Sequence, residues 1–202
     1  MPASQILNRR LVLASGSPRR KELLAREGMQ FRIDVAGTPE EMLDGEAPVD
    51  AVVRLAFEKA QAVVPRVAAD EIVLAADTTV IVDGQMLGKP EDPEDAARML
   101  RSLSGRNHTV ATGWVIVGGA AGSRVATSGW SVSTVRMREI SLAEARAYAA
   151  GPEPLDKAGA YAVQGEGRRF IACVLGSIDN VIGLPVAQVL RALARFGVEP
   201  AQ

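Results

Sequence analysis

Apolar and polar positions along this chain switch between two periods, and each switch marks an element. Leu11-Val12-Leu13, inside Arg10 to Ala14, is the short apolar run of a buried strand. A helix is expected from Pro18 to about Glu27, with Ser17 as N-cap, Pro18 at the first helical position and Gly28 as the stop. Phe31 to Val35 reads as a second strand, and Ala36 to Ala47, with its acidic pair Glu40-Glu41, as loop. Pro48 to Val64 reads as helix, halted by Pro65. Val52, Leu55, Ala56, Lys59 and Val63 share one stripe of it, which sets Lys59 on or beside the apolar face. Ile72 to Ala76 is a buried strand that delivers Asp77 at its end. A second apolar run follows, then Asp83-Gly84, a two-residue hairpin signal whose return arm carries Lys89.

The second half reads in the same way. Asp92-Pro93-Glu94-Asp95 opens a helix through Leu103, with acids in its first turn, and Ser104-Gly105 closes it. His108 to Val117 alternates as a strand, Gly118 to Ser123 is a turn, and Arg124 to Met137 is a long strand rich in Val, Ser and Thr. Trp114 and Trp130 on these strands suit a core or an interface. Ser141-Leu142-Ala143-Glu144 is a capping box leading a helix to Ala150, ended by Gly151-Pro152. A glycine-rich run, Asp156 to Gly167, precedes a strand from Phe170 to Leu175. Gly176 to Pro185 reads as a loop entering a last helix, Pro185 to Phe196. Strands and helices alternate before a long hairpin is inserted, which predicts an α/β fold on a mixed sheet.

Composition narrows the function classes. With 202 residues, 48% hydrophobic and 23% charged, the chain can bury a core as a single domain over 1–202. A net charge of -1 gives no overall pull towards nucleic acid or anionic lipid, so any anion site is local. Two Trp, two Tyr and four Phe, not clustered with basic residues, argue against a nucleic-acid surface. The lone Cys173 excludes an internal disulfide, and the lone His108 excludes His-rich zinc sites and most Ser-His chemistry. No apolar run is long enough to span a membrane, and Met1 to Arg10 lacks the apolar centre of a signal peptide. The expectation is a cytoplasmic protein in a reducing compartment.

Three stretches carry candidate chemistry. A carboxylate such as Asp77 at the end of an apolar strand is costly unless paired or beside a metal, and Lys89 returning near it suits a polyanionic, metal-bearing ligand. Arg19, Arg20 and Lys21 in the first turn of a helix oppose its dipole, a cost of roughly 0.3–1 kcal/mol each. Either that turn is simply solvated, or Ser15-Gly16-Ser17 and the free helix N–H groups form a phosphate cradle with the arginines. Lys59 either snorkels to the surface or points into a cleft. Gln164, with a donor and an acceptor on one amide, suits a base edge. Gly84 to Pro90 is no P-loop, having three residues between its glycines and Pro90 where Ser or Thr must bind magnesium. No Gly-x-Gly-x-x-Gly follows a strand, so a dinucleotide fold lacks support.

Together these runs resemble the Maf family of nucleoside triphosphate pyrophosphatases, also called septum-formation-inhibitor-like proteins. The matching segments are Leu13 to Arg20, Arg54-Leu55-Ala56 with Lys59, Ala76 to Val80, Gly88-Lys89-Pro90, Leu103-Ser104-Gly105, Asp156 to Tyr161 with Gln164-Gly165, and Gly176-Ser177 with Asn180 to Pro185. They follow the family's order and span nearly the whole chain. The resemblance implies a long mixed, twisted sheet flanked by helices, two lobes around a nucleotide cleft, and a homodimer. It implies hydrolysis of a nucleoside triphosphate to the monophosphate and pyrophosphate with magnesium or manganese, as housecleaning of the nucleotide pool. By it, Asp77 is the catalytic acid, serving as base or metal ligand. Lys59 and Lys89 contact phosphate, and Ser15 to Arg20, including Ser17 and Arg19, cradle the triphosphate. Glu41 (or Glu40) lies near the metal with Asp77. Arg19, Thr78 and Gln164 fit the family's dTTP/UTP pattern. The alternatives are a 7-methyl-GTP or other-base pyrophosphatase, or a non-catalytic, nucleotide-responsive regulator of septum formation. Ile178 departs from the aromatic that many members carry after Gly-Ser.

Overall fold

The computed structural model describes residues 9–35, 37–118 and 125–201. Apart from Gly118, the turn expected over Gly118 to Ser123 lies outside them, as does Met1 to Asn8. The strands are β1 (Arg10–Leu13), β2 (Phe31–Ile33), β3 (Glu71–Val82), β4 (Gln85–Leu87), β5 (Asn107–Gly118), β6 (Val125–Met137) and β7 (Ile171–Leu175). They form one mixed sheet of seven strands in the order β2-β1-β3-β5-β6-β7, with β4 also paired to β3. The helices are α1 (Pro18–Arg26), α2 (Pro48–Val63), α3 (Pro93–Leu103), α4 (Leu142–Ala149), α5 (Ile178–Ile182) and α6 (Val186–Ala194). Short 3-10 turns punctuate the stretch from Pro154 to Phe170.

Local chemistry sets most boundaries. Ser17, Asp92 and Ser141 each accept a backbone N–H at their helix start, and Ser141 with Glu144 completes the capping box. In the hairpin between β3 and β4, Asp83 and Gly84 both take positive φ, 53° and 77°, as a right-twisted two-residue turn requires.

Two sequence expectations change. First, Asp77 does not end a strand. The run Ile72 to Ala76 and the one after it are a single strand, β3, with Asp77 in its middle. Burial of both faces from Glu71 to Asp77 hides the period of two that would have joined the runs. Second, the expected loop from Gly176 to Pro185 contains α5, whose N-cap Ser177 accepts the Asn180 N–H. Five residues are too few for a helical period to be read.

β3 is the spine. Its side chains alternate: Val73 and Ala75 pack beneath α2 with Val12, Ala56 and Val115, whereas Ile72, Leu74 and Ala76 face the larger core on the opposite side. One edge of β3 pairs with β5 from Val73 to Ile81. The other edge pairs with parallel β1 as far as Leu74 and with antiparallel β4 from Val80 onwards. Between them, Ala75 to Thr79 has no strand partner on that edge among the described residues. The site opens there.

Candidate active site

A cleft of about 580 Å³ lies over this gap. It is walled by the turn from Ala14 into α1, the loop around Glu40, Lys89, the run Leu155 to Val163, and Val181 to Gly183. Because neighbours on a strand point to opposite faces, Asp77 and Thr78 enter it from different sides.

On the α2 side, Asp77 is buried, with 8% of its surface exposed. Its Oδ1 accepts from Lys59 Nζ. The same ammonium donates to Glu40 Oε1 at 2.7 Å, and Lys89 Nζ lies 3.5 Å from Glu40 Oε2. Lys59 therefore does reach the cleft, held by two carboxylates, and does not snorkel. Burial alone pushes the Glu40 carboxyl up, but Lys59 and Lys89 outweigh it and hold the group below its ordinary range. Glu40, not Glu41, is the acid at the site. Glu41 is exposed and outside the cleft wall, and its carbonyl accepts from Arg54.

On the other side, Arg20 crosses from α1 to β3. Its Nε donates to the Gly183 carbonyl at 2.8 Å, Nη1 to Ser15 Oγ at 3.1 Å, and Nη2 to Thr78 Oγ1 at 3.0 Å. Burial pushes the guanidinium down from its ordinary value, against the pull of Asp77 and Glu40, yet an arginine stays charged. Arg19 lines the cleft towards Asp156 and is likewise lowered by burial. Ser15 is buried, and its Oγ also accepts the Ser17 N–H, which fixes the turn into the helix.

The structure thus brings together Ser15, Ser17, Arg19, Arg20, Lys59, Asp77, Thr78 and Lys89. Gln164 is not among them: it is exposed and outside the cleft wall. The sequence reading missed what lies behind Thr78. Thr112 Oγ1 is 2.9 Å from Thr78 Oγ1 and donates to the Asn180 carbonyl at 3.0 Å. Asn180, fully buried, donates through Nδ2 to the Val110 carbonyl and to Ser133 Oγ, both at 3.0 Å. Polar residues inside an alternating strand and in an unrecognised short helix gave the only signal. Tyr161 is another omission. It lines the cleft, and its Oη lies 2.6 Å from His108 Nε2.

Among the described residues no three His, Cys, Asp or Glu converge as a metal cage. The donors at the cleft, Asp77 and Glu40, are hard carboxylates. One or two such groups with phosphate and water suit Mg²⁺ or Mn²⁺. Electrostatically, the cleft is lined by Lys59, Lys89, Lys157, Arg19 and Arg20 against Glu40, Asp77 and Asp156, a net cationic trough in which Asp77 is the buried carboxylate, and it runs on to the apolar side chains of Val110, Val163, Val181 and Ile182. Such a cleft can hold a ligand that is anionic at one end and flat or apolar at the other.

The chain is similar to several known proteins. The family model described as "Maf-like protein" matches residues 10–196. A dTTP/UTP pyrophosphatase of Anaeromyxobacter dehalogenans (strain 2CP-C) is 48% identical over 188 residues, 93% of this chain and 94% of that protein. One of Moorella thermoacetica is 46% identical over 190 residues, 94% of this chain and 96% of that protein. Among solved structures, the Staphylococcus aureus Ham1 protein is a looser likeness, with a TM-score of 0.44 at 15% identity over 92% of this chain and 98% of that one. From β1 to the end of α6, the chain belongs to the Maf family.

Proposed function

We propose that this chain, as one domain, hydrolyses nucleoside triphosphates, dTTP and UTP foremost, to the monophosphate and pyrophosphate. The observation that carries this reading is the buried Asp77 carboxylate facing a cationic cleft, with Lys59 on one oxygen. Among the described residues Oδ2 has no protein donor, so it is free to take a proton. Water attacks the α-phosphorus, its proton passes to Asp77, and the bond from that phosphorus to the bridging oxygen breaks, releasing pyrophosphate. Lys59, Lys89, Arg19 and the Ser15 to Ser17 turn hold the triphosphate and its developing charge. Asp77 and Glu40 are the carboxylates that would hold Mg²⁺ or Mn²⁺, which when bound would supply further neutralisation of that charge.

The protein also acts as a homodimer in this reading. On the face that α2 leaves uncovered, Trp130, Val132 and Leu175 are 54%, 40% and 65% exposed. A strip of this kind on a soluble face suits a second copy.

A panel of triphosphates, assayed for pyrophosphate release with and without Mg²⁺, tests the reaction. Asp77→Asn is expected to abolish turnover while nucleotide still binds. Near-normal turnover in that variant would remove Asp77 from the mechanism.

A further inference from the structure

The hydroxyl chain behind the cleft has a direction, and the direction fixes what Thr78 offers a ligand. The Asn180 carbonyl is an acceptor only, so the Thr112 hydrogen is committed to it across 3.0 Å. Thr112 Oγ1 then has only lone pairs for Thr78, and the 2.9 Å contact between the hydroxyls is filled by the Thr78 hydrogen. The other taker, the Gly183 carbonyl, is 3.4 Å away and already accepts from Arg20 Nε at 2.8 Å. That length is outside the ordinary O–H···O range of about 2.5–3.0 Å. Thr78 also accepts from Arg20 Nη2. What remains on Thr78 towards the cleft is a lone pair. Beside it, Arg20 has three of its five N–H groups engaged by Gly183, Ser15 and Thr78, and the others have no acceptor among the described residues.

We propose that Thr112 is a positioning residue for base selection: by taking the Thr78 hydrogen, it makes Thr78 an acceptor that requires a ring N–H on the base. An acceptor beside donors complements a ring N–H beside a carbonyl, the edge that uracil and thymine present. Cytosine carries an unprotonated ring nitrogen at that position and meets Thr78 lone pair to lone pair. Phosphate oxygens are acceptors and do not suit Thr78 either, which keeps the triphosphate off this hydroxyl and leaves it to the base. A site that pairs a buried polar group discriminates strongly because the wrong ligand leaves that group unpaired.

This inference rests on the pyrophosphatase reading, and the test separates the two. UTP and CTP are compared as substrates of the same preparation, so that any loss of folded protein cancels in the ratio of their kcat/KM values. Thr112→Val keeps shape and loses the hydroxyl, freeing the Thr78 hydrogen to turn towards cytosine. The UTP-to-CTP ratio is expected to fall about tenfold, the worth of one hydrogen bond. Thr112→Ala is expected to lower it similarly, and Thr112→Ser to retain it. Should wild type hydrolyse UTP while Thr112→Val slows both substrates equally, Thr112 is structural, the inference is overturned and the pyrophosphatase reading stands. Should wild type release pyrophosphate from neither, the functional reading fails and this one with it.

Discussion

At the scale of single residues, one buried group outside the proposed chemistry governs acid stability. His108 is 3% exposed, its Nδ1 has no partner among the described residues, and burial pushes its pKa from 6.5 to about 4. The folded state thus refuses a proton that the unfolded chain accepts. Stability is complete above pH 6.5 and drains away as pH falls towards 4, by roughly 3 kcal/mol over the window. Glu71, which Arg32 holds down to about 2, contributes only at lower pH, between its ordinary value of 4.5 and 2. Urea unfolding at pH 7, 5.5 and 4.5 should show this slope in wild type and a flatter one in His108→Asn. Equal slopes would reassign the loss to carboxylates. Side-chain detail of this kind was only partly legible beforehand. Asp77 and Lys59 could be chosen because each breaks a rule of burial, and Lys89 because a hairpin returns it towards Asp77. Nothing in a pair of adjacent acids distinguishes Glu40 from Glu41, since loop geometry alone aims one at the lysines. Gln164 has the right chemistry for a base but is exposed and outside the cleft wall, and a glycine-rich run gives no periodicity from which its direction could be read.

At the scale of elements, α2 is the part on which the site leans. It lies against β5 closely enough that a Cβ at Gly113 would meet the backbone carbon and oxygen of Val52 at 2.6 Å. Backbone atoms do not swing aside as a side-chain tip does, so Gly113→Ala must lift the helix. Lys59 lies two turns further along that helix and moves with it. The expected result is a loss of about 3 kcal/mol or more in stability, with a drop in turnover larger than the loss of folded protein explains. A variant that folds less well but works normally per folded molecule would show that α2 shifts without carrying Lys59. The helices were the most legible level, because Ser17, Asp92 and Ser141 cap where such residues cap and Pro18, Pro48 and Pro93 occupy first turns. α5 escaped because its start signal, Ser177, precedes a stretch ended at once by Gly183. The continuity of β3 escaped because a strand buried on both faces loses its alternation.

At the scale of the whole molecule, the exposed strip of Trp130, Val132 and Leu175 is the surface on which the proposed association of two copies is tested. Trp130→Glu places a charge in the middle of it and should convert a dimer to a monomer in sedimentation, with little change in unfolding because the side chain is already half in solvent. A monomeric wild type would instead leave the strip without a second copy. The mixed α/β architecture was predictable from alternating periods, but the missing pairing on one edge of β3 was not, because it depends on where two non-adjacent strands stop. That interruption has a mechanical result. The acid proposed for the chemistry and the hydroxyl proposed for selection are consecutive links of one ribbon, about 3.3 Å apart along it. Swinging of the walls can tighten or loosen the grip on a nucleotide. The distance from the scissile phosphorus to the tested ring is gauged by the ribbon itself, and breathing of the protein leaves that ruler unchanged.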